Sequence, residues 1–215
     1  MDAARELLVA GVDELFRSHE AAGWPRRRLG EIVHLRKDVV HPKDGPLGHA
    51  VFVGLEHIES HTGRRTGSVE VELEQLTGRK PRFQKGDIVY GYLRPYLNKV
   101  WVAEFSGLCS VDQYVYSVVK NLAIPGFVAA FMRTPSYLRA APVAATPGQL
   151  PRIRTDEVAQ VPIPLPPLAT QSTVLRMIEK VRSVSERLVQ AAERRLEETN
   201  NLPAALLHQA FRGEL

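Results

Sequence analysis

Two cations, two tyrosines and an asparagine lie close together near the middle of the sequence. They belong to Tyr92 and the segment Arg94-Pro95-Tyr96-Leu97-Asn98-Lys99. Lys and Arg side chains hold phosphate groups, and tyrosine rings can stack on or bond to bases, so these residues could bind a nucleic-acid backbone. A hairpin with a solvated charged edge is the simpler interpretation of the same residues. Both interpretations stay open at this point.

The residues on either side predict the strands that position this segment. Lys85-Gly86-Asp87 is typical of a turn, because glycine tolerates positive φ and aspartate can bond its own backbone. The β-branched and aromatic residues of 88–93 predict a strand, with Gly91 marking a bend or a close backbone approach. A second strand follows the basic-aromatic connection and continues over Trp101–Phe105.

Two other groups of side chains were considered for metal binding or catalysis. His57 and Glu59 match the H-x-E part of the zinc deaminase signature, with His61 four residues on, but the rest of that signature needs two cysteines. Cys109 is the only cysteine, so we expect no metal site and a buried structural thiol. Glutamates alternate with Val69, Val71 and Leu73, which predicts a half-buried strand with a solvated acidic face.

Composition places the chain among ordinary folded proteins. It has 215 residues, 44% of them hydrophobic and 24% charged, and a net charge of +4 that permits an anionic partner. The single cysteine excludes an internal disulfide, the start carries acids where a signal peptide has cations, and no apolar run approaches a membrane span. We therefore expect a cytoplasmic protein without a membrane segment.

The motifs of common enzyme classes are absent from the sequence. There is no P-loop, no dinucleotide-binding glycine fingerprint, no G-x-S-x-G elbow and no Asn-Pro-Pro-Tyr or Asp-Pro-Pro-Tyr string of an amino-methyltransferase. The sequence therefore predicts a protein that is not an enzyme and that needs no cofactor.

Helices are predicted at both ends of the chain. Apolar residues at 3–4 spacing predict one over 2–21, and Pro125 opens another through Met132, which Pro135 breaks. Val161–Leu168, with four prolines, predicts a stiff connector and a domain boundary. Residues 169–200 predict the longest helix, interrupted at Asn201-Leu202-Pro203. One stripe of this helix, its seam, follows alternating steps of four and three residues and is apolar in its first half but not in its second. This weakening heptad pattern indicates a partner helix. The seam residues are Val174, Ile178, Val181, Ser185, Leu188, Ala192, Arg195 and Thr199.

An ordered series of motifs resembles the specificity subunits of type I restriction–modification systems. The series comprises Trp24-Pro25 with Leu29-Gly30-Glu31-Ile32, then VFVGLEHI, FQKGDIVYGYLRPYLNKVWVA, GLCSVDQYVY, Leu150-Pro151-Arg152-Ile153, IPLPPLATQ and LLHQAFRGEL. Each motif is weak alone, but their order is specific. Members of this family usually carry two recognition domains and two long helices, whereas this chain has the motifs of one of each.

The resemblance implies a fold and an organisation. We expect a mixed α+β target-recognition domain followed by a long helix of coiled-coil type. The expected parts are an N-terminal helix at 1–23, the DNA target-recognition domain at 24–165 and a dimerisation and spacer helix at 166–215. The positive excess lies in residues 24–167, whereas residues 168–215 are nearly balanced in charge.

The resemblance also implies function and partners. The chain would bind double-stranded DNA, dimerise through the long helix to read a bipartite site, and dock DNA methyltransferase (modification) subunits. A translocating restriction subunit is a further candidate partner. The alternatives are a stand-alone DNA-binding regulator and an assembly scaffold that does not bind DNA.

Candidate site residues follow from the same resemblance. Arg94 and Lys99 are assigned to phosphate, and Tyr92 and Tyr96 to structure or stacking. Candidate base readers are loop residues, since arginine suits guanine and glutamine suits adenine; they are Arg64, Arg65, Arg79, Lys80, Arg82, Gln113 and Arg152. The expected dimer contacts are Val174, Ile178, Val181, Leu188 and Ala192.

Overall fold

The structure, a computed structural model, describes residues 2–21, 23–142 and 150–212. The helices are α1 (Asp2–Ala21), α2 (Leu29–Ile32), α3 (Pro125–Met132), α4 (Pro135–Ala140), α5 (Thr155–Gln160) and α6 (Leu168–Arg212). The strands are β1 (Arg26–Arg28), β2 (Val33–Leu35), β3 (Val39–Val40), β4 (His49–Val53), β5 (Val69–Glu72), β6 (Lys80–Phe83), β7 (Ile88–Gly91), β8 (Val100–Val102), β9 (Gly107–Cys109), β10 (Gln113–Val118) and β11 (Pro162–Pro164). This mixed α+β arrangement with a long C-terminal helix confirms the predicted fold class.

A four-stranded antiparallel sheet lies at the centre of the molecule, in the order β2-β10-β7-β8. Successive side chains of a strand point to opposite faces. Accordingly, Ile88 and Tyr90 pack with the helices, whereas Val89 joins a second core on the other face. The sheet is therefore covered on both sides, which explains why all four residues of β7 are buried.

The second core lies between this sheet and a five-stranded sheet of order β3-β6-β9-β4-β5. In that sheet β4 and β9 are parallel and the other pairs are antiparallel. Phe83 and Trp101 fill the space between the sheets, with ring centroids 5.4 Å apart in an edge-to-face arrangement. Cys109 is buried in the same core, as expected.

Helix α1 packs antiparallel to the first half of α6. Leu8 lies in a groove beside Val189, whereas Phe16, two turns further along α1, shares a core with Val174. Phe16 is 1% exposed, and its ring centroid lies 5.1 Å from that of Phe127 in α3. The first half of α6 therefore belongs to the same core as α1 and α3.

The Pro-rich segment 161–168 differs from the predicted connector. It is extended, as proline requires, but Pro162–Pro164 pairs with β1 and Ile163 is fully buried. Proline has no backbone N–H, so a strand can contain it at positions whose N–H would not donate to the neighbouring strand. The segment is thus an integral part of the fold, and the predicted three-part division of the chain stays a prediction.

Several local predictions were wrong. Helix α6 continues through Pro203, because a proline inside a helix removes one backbone hydrogen bond without having to end it. Gly107–Cys109 is a strand rather than a connection. Pro135 opens α4, with Thr134 as its N-cap, instead of only ending α3. The expected strand at Val69 stops at Glu72, and Val69 itself is 49% exposed.

In the described part of the chain, no helix combines the length and apolar character that crossing a lipid bilayer requires.

Candidate nucleic-acid interface

The turn before β7 is held by a buried carboxylate. Asp87 is 4% exposed and accepts two hydrogen bonds from Arg36, at 2.7 and 2.9 Å. Its side chain also accepts a hydrogen bond from the backbone N–H of Gln84, and Gly86 has φ +89°. The hydrogen bonding of Arg36 to Asp87 is the main cause that raises the pKa of Arg36. The Gly-Asp motif therefore fixes the start of β7.

The segment after β7 is a tight 3-10 turn, Pro95–Leu97, bounded by two residues in the left-handed region. Arg94 has φ +51° and Asn98 has φ +49°. Such conformations are costly for non-glycine residues and persist only where surrounding contacts impose them. The turn presents Arg94 to solvent and leaves Tyr96 55% exposed.

Two residues of the same segment serve the fold instead. Asn98 is buried and donates a hydrogen bond from Nδ2 to the carbonyl oxygen of Arg133 at 2.7 Å. Lys99 donates from Nζ to the carbonyl oxygen of Leu55 at 2.6 Å. The predicted phosphate contact of Lys99 is therefore replaced by an intramolecular bond in this structure.

A pair of stacked tyrosines lies beside this turn. The rings of Tyr92 and Tyr114 are 4.2 Å apart and nearly parallel, at 17°. Strand pairing explains their approach, because Tyr90 of β7 lies opposite Tyr114 of β10 and the backbone N–H of Tyr92 donates to Asp112. Burial raises the pKa of both tyrosines, so they stay neutral at physiological pH.

The segment after the undescribed residues 143–149 runs along the tyrosine pair. The backbone N–H of Arg94 donates to Pro151 at 2.7 Å, that of Ile153 donates to Tyr92 at 3.2 Å, and Leu93 forms a bridge with Arg152. Arg152 is exposed. These contacts bring the Leu-Pro-Arg-Ile motif next to the Arg-Pro-Tyr motif, more than fifty residues earlier in the sequence.

Charges of both signs lie near the stacked rings, since Asp112 acts on Tyr92, and Asp156 and Glu157 act on Tyr114. Arg79 and Arg152 both act to lower the pKa of Tyr92, against the larger effects of burial and of Asp112, so both guanidinium groups lie near this ring. Arg79 and Arg94 are exposed. We call this surface the aromatic–basic ledge and define it as Arg79, Tyr92, Arg94, Tyr96, Tyr114 and Arg152. Exposed guanidinium groups beside aromatic rings can hold phosphates and reach base edges.

Arg64 and Arg65 lie on a different surface. Arg64 is 3.8 Å from Glu186 of α6. The guanidinium of Arg65 lies 5.0 Å from the ring centre of Phe105 and 3.7 Å from Glu104. The structure thus places these two predicted readers against the long helix and against the second core, away from the aromatic–basic ledge.

The remaining predicted readers have partners within the fold. Lys80 lies 5.2 Å from the ring centre of Phe52, and Arg82 is 3.6 Å from Asp38. Gln113 is 2% exposed and accepts a hydrogen bond from Ser110 at 2.9 Å. A base could not reach Gln113 in this conformation.

The predicted helix seam divides into two parts. Val174 and Ile178 are buried in the intrachain core. Val181, Leu188 and Ala192 are exposed. The structure adds Met177 and Val184 to the exposed side. We call Met177, Val181, Val184 and Leu188 the outer stripe; their side chains are 44%, 39%, 41% and 64% exposed.

Within the residues that the structure describes, no group of three or more His, Cys, Asp or Glu side chains is arranged to hold a metal ion. The histidine considered in the sequence has another use, since Nδ1 of His57 accepts a hydrogen bond from the backbone N–H of Gly54 at 3.0 Å.

Sequence reasoning missed Tyr114 as part of the site. It was assigned only to a strand, because its partner Tyr92 lies more than twenty residues earlier. The two strands were both predicted, but their pairing register, which sets the tyrosines side by side, was not.

Comparison with curated proteins shows a relationship over most of this chain. The sequence is 30% identical over 192 residues to the specificity subunit of the type I restriction enzyme EcoDI from Escherichia coli. It is 25% identical over 192 residues to that of EcoKI from Escherichia coli strain K12. The chain thus resembles part of a type I specificity subunit. No model of a known protein family matches the sequence.

The similarity covers only part of each specificity subunit. The EcoDI alignment includes 89% of this chain and 42% of that relative, and the EcoKI alignment 81% and 39%. The chain therefore spans less than half the length of the curated specificity subunits that it matches.

Solved structures agree with this relationship. The HsdS subunit from Thermoanaerobacter tengcongensis has a TM-score of 0.67 and 25% identity, covering 87% of this chain and 48% of that one. A chain from work on complex assembly and conformational transition of the type I restriction–modification system has a TM-score of 0.66 and 25% identity, covering 89% and 49%. The fold of this chain is thus similar to that of part of each of these two structures.

Proposed function

We propose that this chain recognises a specific sequence in double-stranded DNA, as the specificity component of a type I restriction–modification system. The observation that carries the proposal is the aromatic–basic ledge, which exposes three arginines beside stacked tyrosines in a chain related to specificity subunits. Its positive charge suits the DNA backbone, and its rigid strand framework suits a fixed register on the duplex.

Different residues of the ledge are proposed for different contacts. Arg94 stands on a constrained turn and is assigned to phosphate. Arg79 and Arg152 flank the tyrosines and are assigned to base edges in the major groove, where guanine offers two acceptors to one guanidinium. The choice rests on their exposure beside the stacked rings.

The proposed action is binding without catalysis. The residues of the ledge are arginines and tyrosines, and burial raises the pKa of Tyr92 and Tyr114, which suits recognition rather than acid–base chemistry. Methylation would then be carried out by DNA methyltransferase subunits and cleavage by a translocating restriction subunit, and we propose both as partners.

The long helix is proposed to join two copies of this chain. The outer stripe leaves four apolar side chains of α6 exposed, and α1 borders it at Val181, which lies 3.9 Å from the position of a Cβ atom on Gly11. A homodimer formed through this stripe would place two recognition domains in inverted orientation, so the proposed target is a bipartite, two-fold symmetric site.

The first experiment is selection of bound duplexes from a random library, followed by affinity measurements over a range of salt concentrations. Substitution of Arg94 by alanine should weaken all duplexes similarly and reduce the slope of log K against log salt by about 1. Substitution of Arg152 by alanine should also relax preference at one base pair, by about 1–3 kcal/mol.

Arg17→Ala is the matched control, because Arg17 is an exposed arginine of α1 that forms an ion pair with Glu14 of the same helix. It should leave affinity and salt slope unchanged. If no duplex is enriched even after a methyltransferase partner is added, the proposal is wrong and an assembly scaffold becomes the better explanation. Selective binding without any methyltransferase association would favour a stand-alone regulator.

A further inference from the structure

Two arginines meet where the long helix joins the recognition domain. Arg133 follows the last residue of α3, and Arg182 lies on α6. Each guanidinium donates to a backbone carbonyl: Arg133 Nη1 to Val100 at 3.2 Å and Arg182 Nη2 to Thr62 at 3.1 Å. The function proposed above makes no use of either residue.

Arg133 is partly buried and lies in a position that is poor in negative charge. Its guanidinium lies directly against Gly63, where a Cβ atom would overlap with Nη1. Burial, and secondly the positive charge of Arg182, lower the pKa of Arg133 to about 10. Within the described residues no carboxylate acts on this group.

The positive charge of Arg182 is only weakly offset by a neighbouring carboxylate. Arg182 forms an ion pair with Glu179, one turn earlier on the helix, at 3.7 Å and with a side chain that is 70% exposed. Its Nε is buried and has no hydrogen-bond partner in the described part of the chain. A buried donor without a partner costs about 1–3 kcal/mol, and more when the group is charged.

A small cavity connects the two guanidinium groups. Its volume is about 20 Å³, and Arg133, Arg182, His61 and Thr62 contribute its polar lining. The rest of the lining is apolar and comes from α1, α3 and α6. A cavity of this size holds one particle about as large as a water molecule. Water could accept hydrogen bonds there, but it would not offset two positive charges in a site of low polarity.

We propose that a small monovalent anion, of the size of chloride, binds in this cavity between Arg133 and Arg182. Such an ion accepts hydrogen bonds from N–H groups of both side chains, and its negative charge reduces the repulsion between the two guanidinium groups. Because the lining comes from α1, α3, α6 and the loop at His61, the ion ties the long helix to the recognition domain. This inference does not depend on DNA binding.

The test measures thermal unfolding of the full chain at constant ionic strength while gluconate, which is too large for the cavity, is replaced by chloride. For an ion with a dissociation constant near 10 mM, the midpoint temperature should rise by roughly 4 °C up to 200 mM chloride, with a saturating dependence on concentration. A midpoint that does not change beyond the general salt effect would overturn the proposal and leave water as the occupant.

Two substitutions locate the effect. Arg182→Gln keeps a hydrogen-bonding side chain but removes one charge, and it should abolish the chloride dependence. Arg139→Gln is the matched control, because Arg139 is exposed and pairs with Asp13 at 3.4 Å, outside the cavity. It should keep the full dependence. An equal chloride response in wild type and Arg182→Gln would contradict the site.

A direct measurement needs no substitution. Crystals of the full chain grown with bromide in place of chloride should show an anomalous difference peak within hydrogen-bond distance of both guanidinium groups. A peak elsewhere only, or none, would count against the proposal whatever the variants do.

Discussion

At the scale of single residues, the Gly-Asp motif illustrates how a motif can serve the fold rather than the site. The side chain of Asp87 is 5% exposed and that of Arg36 is 22% exposed, so the pair is largely shielded from solvent. Because the carboxylate also accepts from Gln84, one side chain fixes both the turn and the distance between β2 and β7.

We expect Asp87→Asn to lower the free energy of unfolding by about 2 kcal/mol, since the substitution removes one partner of a mostly buried, two-bond ion pair. Partial exposure of Arg36 keeps the cost below that of a fully buried pair. Denaturant unfolding followed by circular dichroism would measure it. Asp38→Asn removes the more exposed pair with Arg82, 45% and 46% exposed, and should cost less than about 1 kcal/mol.

The sequence identified several residues of the site but not how each is used. Arg94, Arg152 and Tyr92 were predicted and lie together on the ledge. Lys99 and Gln113 were predicted with equal weight, yet both bond to the backbone inside the fold. Residue type alone cannot separate these cases, because an exposed cation and one that binds a carbonyl have the same sequence pattern.

At the scale of elements, periodicity predicted the helices better than the strands. The apolar spacing of α1 and the start of α6 follow from local sequence, and both helices are confirmed. The Pro-rich segment was misread because its structure depends on pairing with β1, more than a hundred residues earlier. Long-range pairing leaves no local signal, and for the same reason the strand β9 was taken for a connection.

Gln171 links the start of α6 to the rest of the domain. It is fully buried, its Oε1 accepts from the backbone N–H of Ile124 at 2.9 Å, and its Nε2 donates to Leu122 and Pro166 at 2.9 and 2.8 Å. One side chain therefore satisfies three backbone groups from two separate loops. The position of the long helix depends on this contact.

We expect Gln171→Leu to destabilise the protein by roughly 2–4 kcal/mol, because leucine has a similar volume but leaves those backbone groups without partners. Gln190→Leu on the exposed side of the same helix is the control and should change stability by less than about 0.5 kcal/mol. Chemical denaturation of both variants would test the difference. Equal effects would show that the buried amide contributes little.

At the scale of the whole molecule, the two sides of α6 have different tasks. Val174 and Ile178 are buried and pack the helix against the rest of its own chain. This part of the predicted seam is therefore not available to a partner helix. The outer stripe shares Val181 and Leu188 with that seam, adds Met177 and Val184, and stays exposed. A helix of 45 residues is about 67 Å long at 1.5 Å per residue.

The outer stripe predicts how the proposed dimer responds to substitution. Leu188 is its most exposed member at 64%, and in a two-fold interface each substitution acts twice. Burying a leucine contributes about 1.5–3 kcal/mol, so Leu188→Glu should weaken self-association at least about a hundredfold while the fold is retained. Sedimentation equilibrium over a range of protein concentrations would measure the change.

Gln190→Glu is the matched control for this prediction, because it introduces the same acid two residues along, which is about 200° around the helix and outside the stripe. It should leave the dissociation constant of the dimer nearly unchanged. If Leu188→Glu dissociates the dimer, it should also convert a preference for two inverted half-sites into binding of one half-site, since each recognition domain would remain intact. A dimer that tolerates the glutamate would place the interface elsewhere on the chain, and the outer stripe would then be the better candidate for methyltransferase docking.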